Sequence, residues 1–225
     1  MQDDADTCAQ RANLLLSKYN DVHAEREMSN NKITICRFRN ADKYLKDEDF
    51  DLLISMGWNG EQHATERARF NFLADYRDVT PVSFDKYGHE LLEAPNMVAD
   101  LIRFARDDVD GLECYGIKIL AHCQAGQSRS TAMLLIFLVA FWREHAHDPT
   151  GEFDDKWKGE LVRDAISDVY GSRGKHCQPN WYLLAIADQL MNTNILGECR
   201  SQGRRLKTSR RDLTMIFTRR GKWKH

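Results

Sequence analysis

GIKILAHCQAGQSRSTAMLLIFLVAFW, residues 116–142, decides how the rest of the chain is read. Ile117, Ile119, Leu120 and Ala121 form a short apolar run of the kind that makes a buried strand. A polar loop, 122–129, follows it and leads into a long apolar pattern of helical length. Strand, tight loop and helix N-terminus therefore come in immediate succession. The first N–H groups of a helix lack internal partners and sit at its positive dipole end. A loop folded over that end makes an anion cradle, and phosphate is its usual occupant. Cys123 opens the loop and Arg129 closes it. A cysteine in that position ionises readily, because the dipole and the arginine both favour its thiolate. The stretch reads as a phosphate cradle with a nucleophile at its floor.

The bare Cys-x5-Arg spacing is a weak signal in a chain with 6 Cys and twenty Arg. Cys199 and Arg205 show it too, with no strand before them and no helix closing on the arginine. Cys123 and Arg129 have both. They also have Gly126 at the middle of the loop, where the backbone must curl, and Ser128 and Ser130 on either side of the arginine.

His122-Cys123-Gln124-Ala125-Gly126-Gln127-Ser128-Arg129-Ser130 resembles the signature loop of the cysteine-dependent protein phosphatases, most of all the compact dual-specificity and tyrosine-phosphatase-like branch. The likeness is specific over about residues 78–145 and weaker over about 32–193. It implies a metal-independent phosphate-monoester hydrolase working through a cysteinyl-phosphate. Cys123 would be the nucleophile. Arg129 and the amides of Gln124, Ala125, Gly126, Gln127 and Ser128 would bind the phosphoryl oxygens. Ser130, or Thr131 beside it, would donate to the departing thiolate, and the family pattern favours Ser130. His122 is expected to hydrogen-bond the loop backbone. The stretch 177–190 resembles the family's last helix, led by Pro-Asn, and this carries a place near the phosphate loop over to Asn180.

The leaving oxygen needs a proton, and Asp85 is the expected donor, 38 residues before Cys123. Residues 78–84 read as a strand, and the polar loop after it would carry Asp85 to the cradle. Asp78 would then lie at the strand's far end, and Asp100 falls within a helix. Asp107, Asp108 and Asp110 sit too close to the catalytic strand. Glu90 and Glu93 stay open.

Outward from this centre, the chain has 225 residues and is 42% hydrophobic, enough for one domain with appendages. Three parts are expected: an N-terminal extension over 1–31, a catalytic domain over 32–195 and a basic tail over 196–225. Strands are read at 32–38, 50–56, 78–84 and near 117–121. Helices are read at 9–19, 41–47 capped by Asn40, 61–76, 96–108 led by Pro95, 130–145, 154–170 and 179–191. Alternating strands and helices predict an α/β fold, a central mainly parallel sheet of about four to five strands flanked by helices. Ligands bind such sheets at the carboxyl ends of the strands.

No apolar run is long enough to span a membrane, and the acidic start MQDDADTCAQ lacks the pattern of a signal peptide. Scattered cysteines without CxxC spacing point to reduced thiols in a cytoplasmic setting, with neither a disulfide framework nor zinc. No cofactor or metal is expected. His63 reads as a surface residue, and His145, His147 and Asp148 as a solvated helix end rather than metal ligands. The net charge of −2 hides an asymmetry. Residues 199–225 hold ten Lys/Arg against Asp212 alone, and residues 1–198 hold 33 acids and 22 bases. Such a tail is expected to bind nucleic acid or an acidic surface, to fold back on the acidic body, or to stand as a solvated extension. The resemblance implies a phosphoprotein or phosphopeptide substrate rather than a polyphosphoinositide, since relatives acting on polyphosphoinositides usually carry basic residues where Gln124 and Gln127 are neutral. Three other readings remain: a phosphopeptide-binding module with little turnover, a phosphatase acting on RNA, and sulfur transfer.

Overall fold

The computed structural model describes residues 31–58, 63–79, 84–114, 116–145 and 155–207, with side chains from residue 92 in the third of these segments and from 159 in the last. Four strands, β1 (Lys32–Arg37), β2 (Leu52–Gly57), β3 (Phe70–Asp75) and β4 (Lys118–Cys123), form one sheet in the order β1-β4-β2-β3. All the pairings are parallel. Among the described residues six α-helices accompany them: α1 (Phe38–Asp47), α2 (Phe84–Asp107), α3 (Arg129–His145), α4 (Asp155–Arg173), α5 (Trp181–Met191) and α6 (Ile195–Ser201). The fold class is therefore α/β with a central parallel sheet, as the alternation of elements predicts.

Strand alternation separates two cores. Leu52, Ile54 and Met56 of β2 and Ile119, Ala121 and Cys123 of β4 face the larger one, with α2 to α6. Cys36, Leu53 and Leu120 face the smaller one, with Ala41 of α1. Every residue of α3 from Arg129 to Trp142 is buried, as its all-round apolar sequence requires. Phe137 and Phe141 stack inside it at 5.5 Å, and Phe104 of α2 lies 6.2 Å from Phe137. No helix among the described residues is long and apolar enough to cross a membrane.

Several elements depart from the sequence reading. Of the helix read at 61–76, the described residues 63–76 form none; β3 lies there instead. Glu and Arg before residue 70 favour helix, but Phe70, Phe72 and Ala74 alternate and reach the larger core. Of the strand read at 78–84, residues 78–79 are irregular and Phe84 already begins α2, while residues 80–83 lie outside the described residues. That helix starts eleven residues before Pro95, which lies inside it rather than at its head. Beyond the proline, Val98, Leu101 and Ala105 bury its apolar face. Helix α1 follows β1 directly with Arg37 at its N-cap, so Asn40 caps nothing there. An additional helix, α6, buries Ile195 and Cys199. The helix expected at 9–19, the pair His147 and Asp148, and residues 208–225 of the tail lie outside the described residues.

Candidate active site

Cys123 is the last residue of β4, and Arg129 is the first residue of α3. The five residues between them wrap the helix N-terminus. Gly126 turns the loop with φ +63°, and a Cβ there would stand 2.3 Å from the Cys36 carbonyl oxygen. Both facts demand glycine. The loop apex thus lies flat on the end of β1.

Cys123 is almost fully buried, at 2% exposure. Burial raises its pKa. The Ser130 hydroxyl, donating to Sγ at 3.3 Å, opposes this, as do the Ser130 amide, the Arg129 charge and the Gln127 amide. Together they bring the thiol below its ordinary value. Its neighbours behave oppositely: burial pushes Cys36, Cys177 and Cys199 up to about 12 and raises Cys114. Among the described cysteines, Cys123 is the one favoured as a thiolate. All five described cysteines are free.

Arg129 is buried, at 4% exposure. Its Nη1 donates to the carbonyls of Gly57 at 3.0 Å and Tyr76 at 2.8 Å, which follow one another in space at the ends of β2 and β3. The loop carbonyls are held as firmly. Arg173, at the end of α4, donates through Nε to the Gly126 carbonyl at 2.6 Å and through Nη2 to the Ala125 carbonyl at 3.4 Å. The amide of Gln178 donates to the Gln127 carbonyl at 2.9 Å, and Thr131 Oγ1 donates to the same carbonyl at 2.6 Å. Ser130 therefore reaches the sulfur, while Thr131 is turned to the backbone.

Asn180 reaches the loop through its amide, which donates to the Ser128 carbonyl at 3.3 Å. Its side chain caps α5 by accepting from the Tyr182 amide at 2.9 Å. Nδ2 donates to Asp78 Oδ1 at 2.8 Å and to the Val79 carbonyl at 3.0 Å.

Three expectations need correction. Asp78 does not lie at the far end of a strand. Because β3 ends at Asp75, Asp78 follows a strand's carboxyl end and stands beside the loop, where the Ser128 hydroxyl donates to its Oδ1 at 2.9 Å. Asp85 does not lie in a loop; it belongs to the first turn of α2. His122 does not hydrogen-bond the loop: neither ring nitrogen has a partner among the described residues. Alternation along β4 turns His122 to the face opposite Cys123, where it meets the Phe38 ring at 5.8 Å. Burial, with the His63 and Arg129 charges, lowers its pKa to about 4, so it is neutral.

Four contributors escaped the sequence reading. Arg173 and Asp78 are two. Lys207 is the third: its ammonium pairs with Asp78 Oδ2, and its amide donates to the Pro179 carbonyl at 2.9 Å. The first residues of the basic tail thus fold against the loop's support. His63 is the fourth. Its Nδ1 meets the Ser55 hydroxyl at 2.7 Å and its Nε2 lies 3.4 Å from Asp75 Oδ1. The ring so clips β2 to β3 over Gly57, where a Cβ would stand 2.7 Å from Asp75 Oδ1 and 3.0 Å from the ring. Nothing in the local sequence around these residues marks them.

No family model matches the sequence, and no curated protein matches it. Solved structures do resemble it. A single-residue variant of human DUSP28 aligns at a TM-score of 0.40 and 14% identity, covering 73% of this chain and 92% of that one. The Yvh1 phosphatase domain from Chaetomium thermophilum aligns at 0.35 and 14%, covering 73% and 91%. Tk-PTP in its active form aligns at 0.33 and 16%, covering 72% and 92%. The likeness is to dual-specificity-like phosphatase folds.

Proposed function

We propose that this protein hydrolyses phosphate monoesters through a cysteinyl-phosphate, acting on phosphoprotein or phosphopeptide. The observation that carries the reading is the Cys123 thiol, drawn below its ordinary value inside a cradle that opens at the N-terminus of α3. A thiolate there faces the loop amides and Arg129, donors suited to phosphoryl oxygens.

Cys123 Sγ attacks phosphorus, the S–P bond forms and the P–O bond to the leaving group breaks. The leaving oxygen takes a proton from Asp85. Water then attacks phosphorus, the S–P bond breaks, and the returning carboxylate accepts the water's proton. The Ser130 hydroxyl stabilises the sulfur as it leaves. Dividing one difficult displacement into two lowers each barrier. Asp78 suits a bracing role better than the acid's, since Ser128, Asn180 and Lys207 all donate to its carboxylate.

The test is phosphate release from an aryl phosphate between acid and neutral pH, with chelator present. Cys123→Ser is expected to abolish release. Asp85→Asn is expected to lower it by about 10²-fold or more, as loss of a general acid does. Wild-type turnover unchanged by Cys123→Ser would overturn the mechanism. A normal rate in Asp85→Asn, with loss confined to Asp78→Asn, would move the acid to Asp78. An inactive wild type that binds phosphopeptide would make the protein a binding module.

A further inference from the structure

The residues after α6 lead the chain back to the loop between Cys123 and Arg129. Gly203 turns it at φ +63°, and its amide donates to the Arg200 carbonyl at 2.9 Å. The Arg204 amide donates to the Cys199 carbonyl at 2.8 Å, and the Arg204 guanidinium lies over the Tyr170 ring of α4 at 5.1 Å. The Tyr170 hydroxyl donates to the Arg205 carbonyl at 2.7 Å, and Leu206 packs against the larger core. The Lys207 amide donates to the Pro179 carbonyl at 2.9 Å, and Lys207 pairs with Asn180 in a single parallel bridge. Every residue from Gly203 to Lys207 is therefore held, and the stretch is a strap rather than a loose tail.

What the strap delivers is a cation. The Lys207 ammonium pairs with Asp78 Oδ2 and also donates to the Asp78 carbonyl at 3.3 Å. The other carboxylate oxygen, Oδ1, accepts from the Ser128 hydroxyl at 2.9 Å and from Asn180 Nδ2 at 2.8 Å. Ser128 and Asn180 are both buried, so Asp78 is the junction through which a half-exposed lysine reaches the loop. The junction has an electrostatic side as well. A carboxylate hydrogen-bonded to this loop opposes any further anion there, a thiolate at Cys123 or a phosphate group. Lys207 offsets that charge. The side chains of the pair are 41% and 21% exposed, so water screens the pair only in part.

We propose that Lys207 is a positioning residue for this loop: acting through Asp78, it fixes Ser128 and offsets a negative charge beside the anion site, so that the reactivity of Cys123 depends on the C-terminal strap. The effect on turnover rests on the phosphatase reading; the effect on the thiol does not. Arg129 and Cys36 also interact with the Cys123 charge, and the variants below leave both in place. Arg205 supplies the control, since it is an exposed cation on the same strap.

The experiment compares wild type with Lys207→Met, Lys207→Arg and Arg205→Gln, all in the full chain. Two quantities are read: kcat/KM for an aryl phosphate, and the pH midpoint of iodoacetamide alkylation at Cys123, located by mass spectrometry. Lys207→Met is expected to lower kcat/KM about three- to tenfold, between the worth of an exposed pair and that of a buried charge-assisted bond. Its alkylation midpoint is expected to move up, because the thiolate then forms beside an unbalanced carboxylate. Lys207→Arg keeps the charge and is expected to restore both readings to within about twofold of wild type, while Arg205→Gln leaves both unchanged, as a surface substitution does. Should Lys207→Met lose its circular dichroism spectrum, Lys207→Gln, which also removes the charge, takes its place in both readings. A lowered Tm with rate and midpoint unmoved would make the lysine merely structural and overturn the proposal. An equal loss in Arg205→Gln would overturn it too, by tracing the effect to the strap's overall charge. If wild type releases no phosphate, yet the midpoint rises in Lys207→Met alone, the phosphatase reading fails and the positioning role stands. Phosphate release by wild type with no change in Lys207→Met is the reverse result.

Discussion

Ser130 and Gly126 show how single residues set the chemistry of the loop. The Ser130 hydroxyl stabilises the thiolate against a burial penalty that acts the other way. Removing it in Ser130→Ala raises the Cys123 pKa. The pH midpoint of alkylation by iodoacetamide is expected to move up, and phosphate release to fall about 10- to 100-fold, the range for a hydrogen bond to a charged group. An unmoved midpoint would show that the amides and Arg129 suffice. Gly126→Ala acts on geometry instead. It places a methyl 2.3 Å from the Cys36 carbonyl at a φ of +63°. The loop cannot close as it does now, so activity is expected to fall by about 10²-fold, with a stability cost of about 1–3 kcal/mol for the forced conformation. A circular dichroism spectrum matching wild type, together with lost turnover, would place the damage in the loop.

At the scale of elements, the cradle is a contact between the end of one strand and the starts of two helices. Helix α3 supplies its N-terminal end, and α5 approaches it through Asn180. Asn180 joins three elements at once: it caps α5, donates to Asp78 after β3 and meets the Ser128 carbonyl. Loss of an N-cap costs about 0.5–2 kcal/mol. Asn180→Ala is therefore expected to lower Tm by several degrees and to lower turnover as well. Asn180→Ser keeps a capping oxygen but cannot reach Asp78. It should recover part of the Tm and little of the activity. Equal recovery of both would mean the cap alone matters.

For the whole molecule, one half-buried acid on α4 sets a pH dependence. Burial, reinforced by the Asp164 charge, raises the pKa of Asp168 on α4 from 3.8 to about 6. The folded state thus holds its proton more tightly than the unfolded chain. Asp168 favours the fold fully below about pH 4, and that contribution is lost as pH rises through about 6. Asp168→Asn is expected to leave Tm unchanged near pH 4 and to raise it at pH 7.5. A rise of similar size at both values would show that the effect is not protonation. The body also incorporates the beginning of the basic tail, since α6 buries Ile195 and Cys199 and Lys207 pairs with Asp78. Residues 196–207 thus pack with the sheet domain.

What the sequence alone determined is the part of the site that is contiguous in the chain. Cys123, Gly126, Ser130 and Arg129 sit on one strand–loop–helix, and their spacing is set by local backbone geometry. The central helix was equally legible, because a run that is apolar all round has only one place to go. Tertiary structure decided everything that supports this loop from a distance. Arg173 meets Gly126 across 47 residues, Asn180 meets Asp78 across 102, and Lys207 meets Asp78 across 129. Arginine, lysine and aspartate are common surface residues, and no local period marks which of them will be brought together. The strand at Phe70–Asp75 illustrates the same point. Its six residues carry a weak alternation that nearby helix formers outweigh until β2 offers a parallel edge. Once that edge is taken, the chain leaves β3 at its carboxyl end, and Asp78 arrives beside the loop between Cys123 and Arg129 rather than on the far side of the sheet.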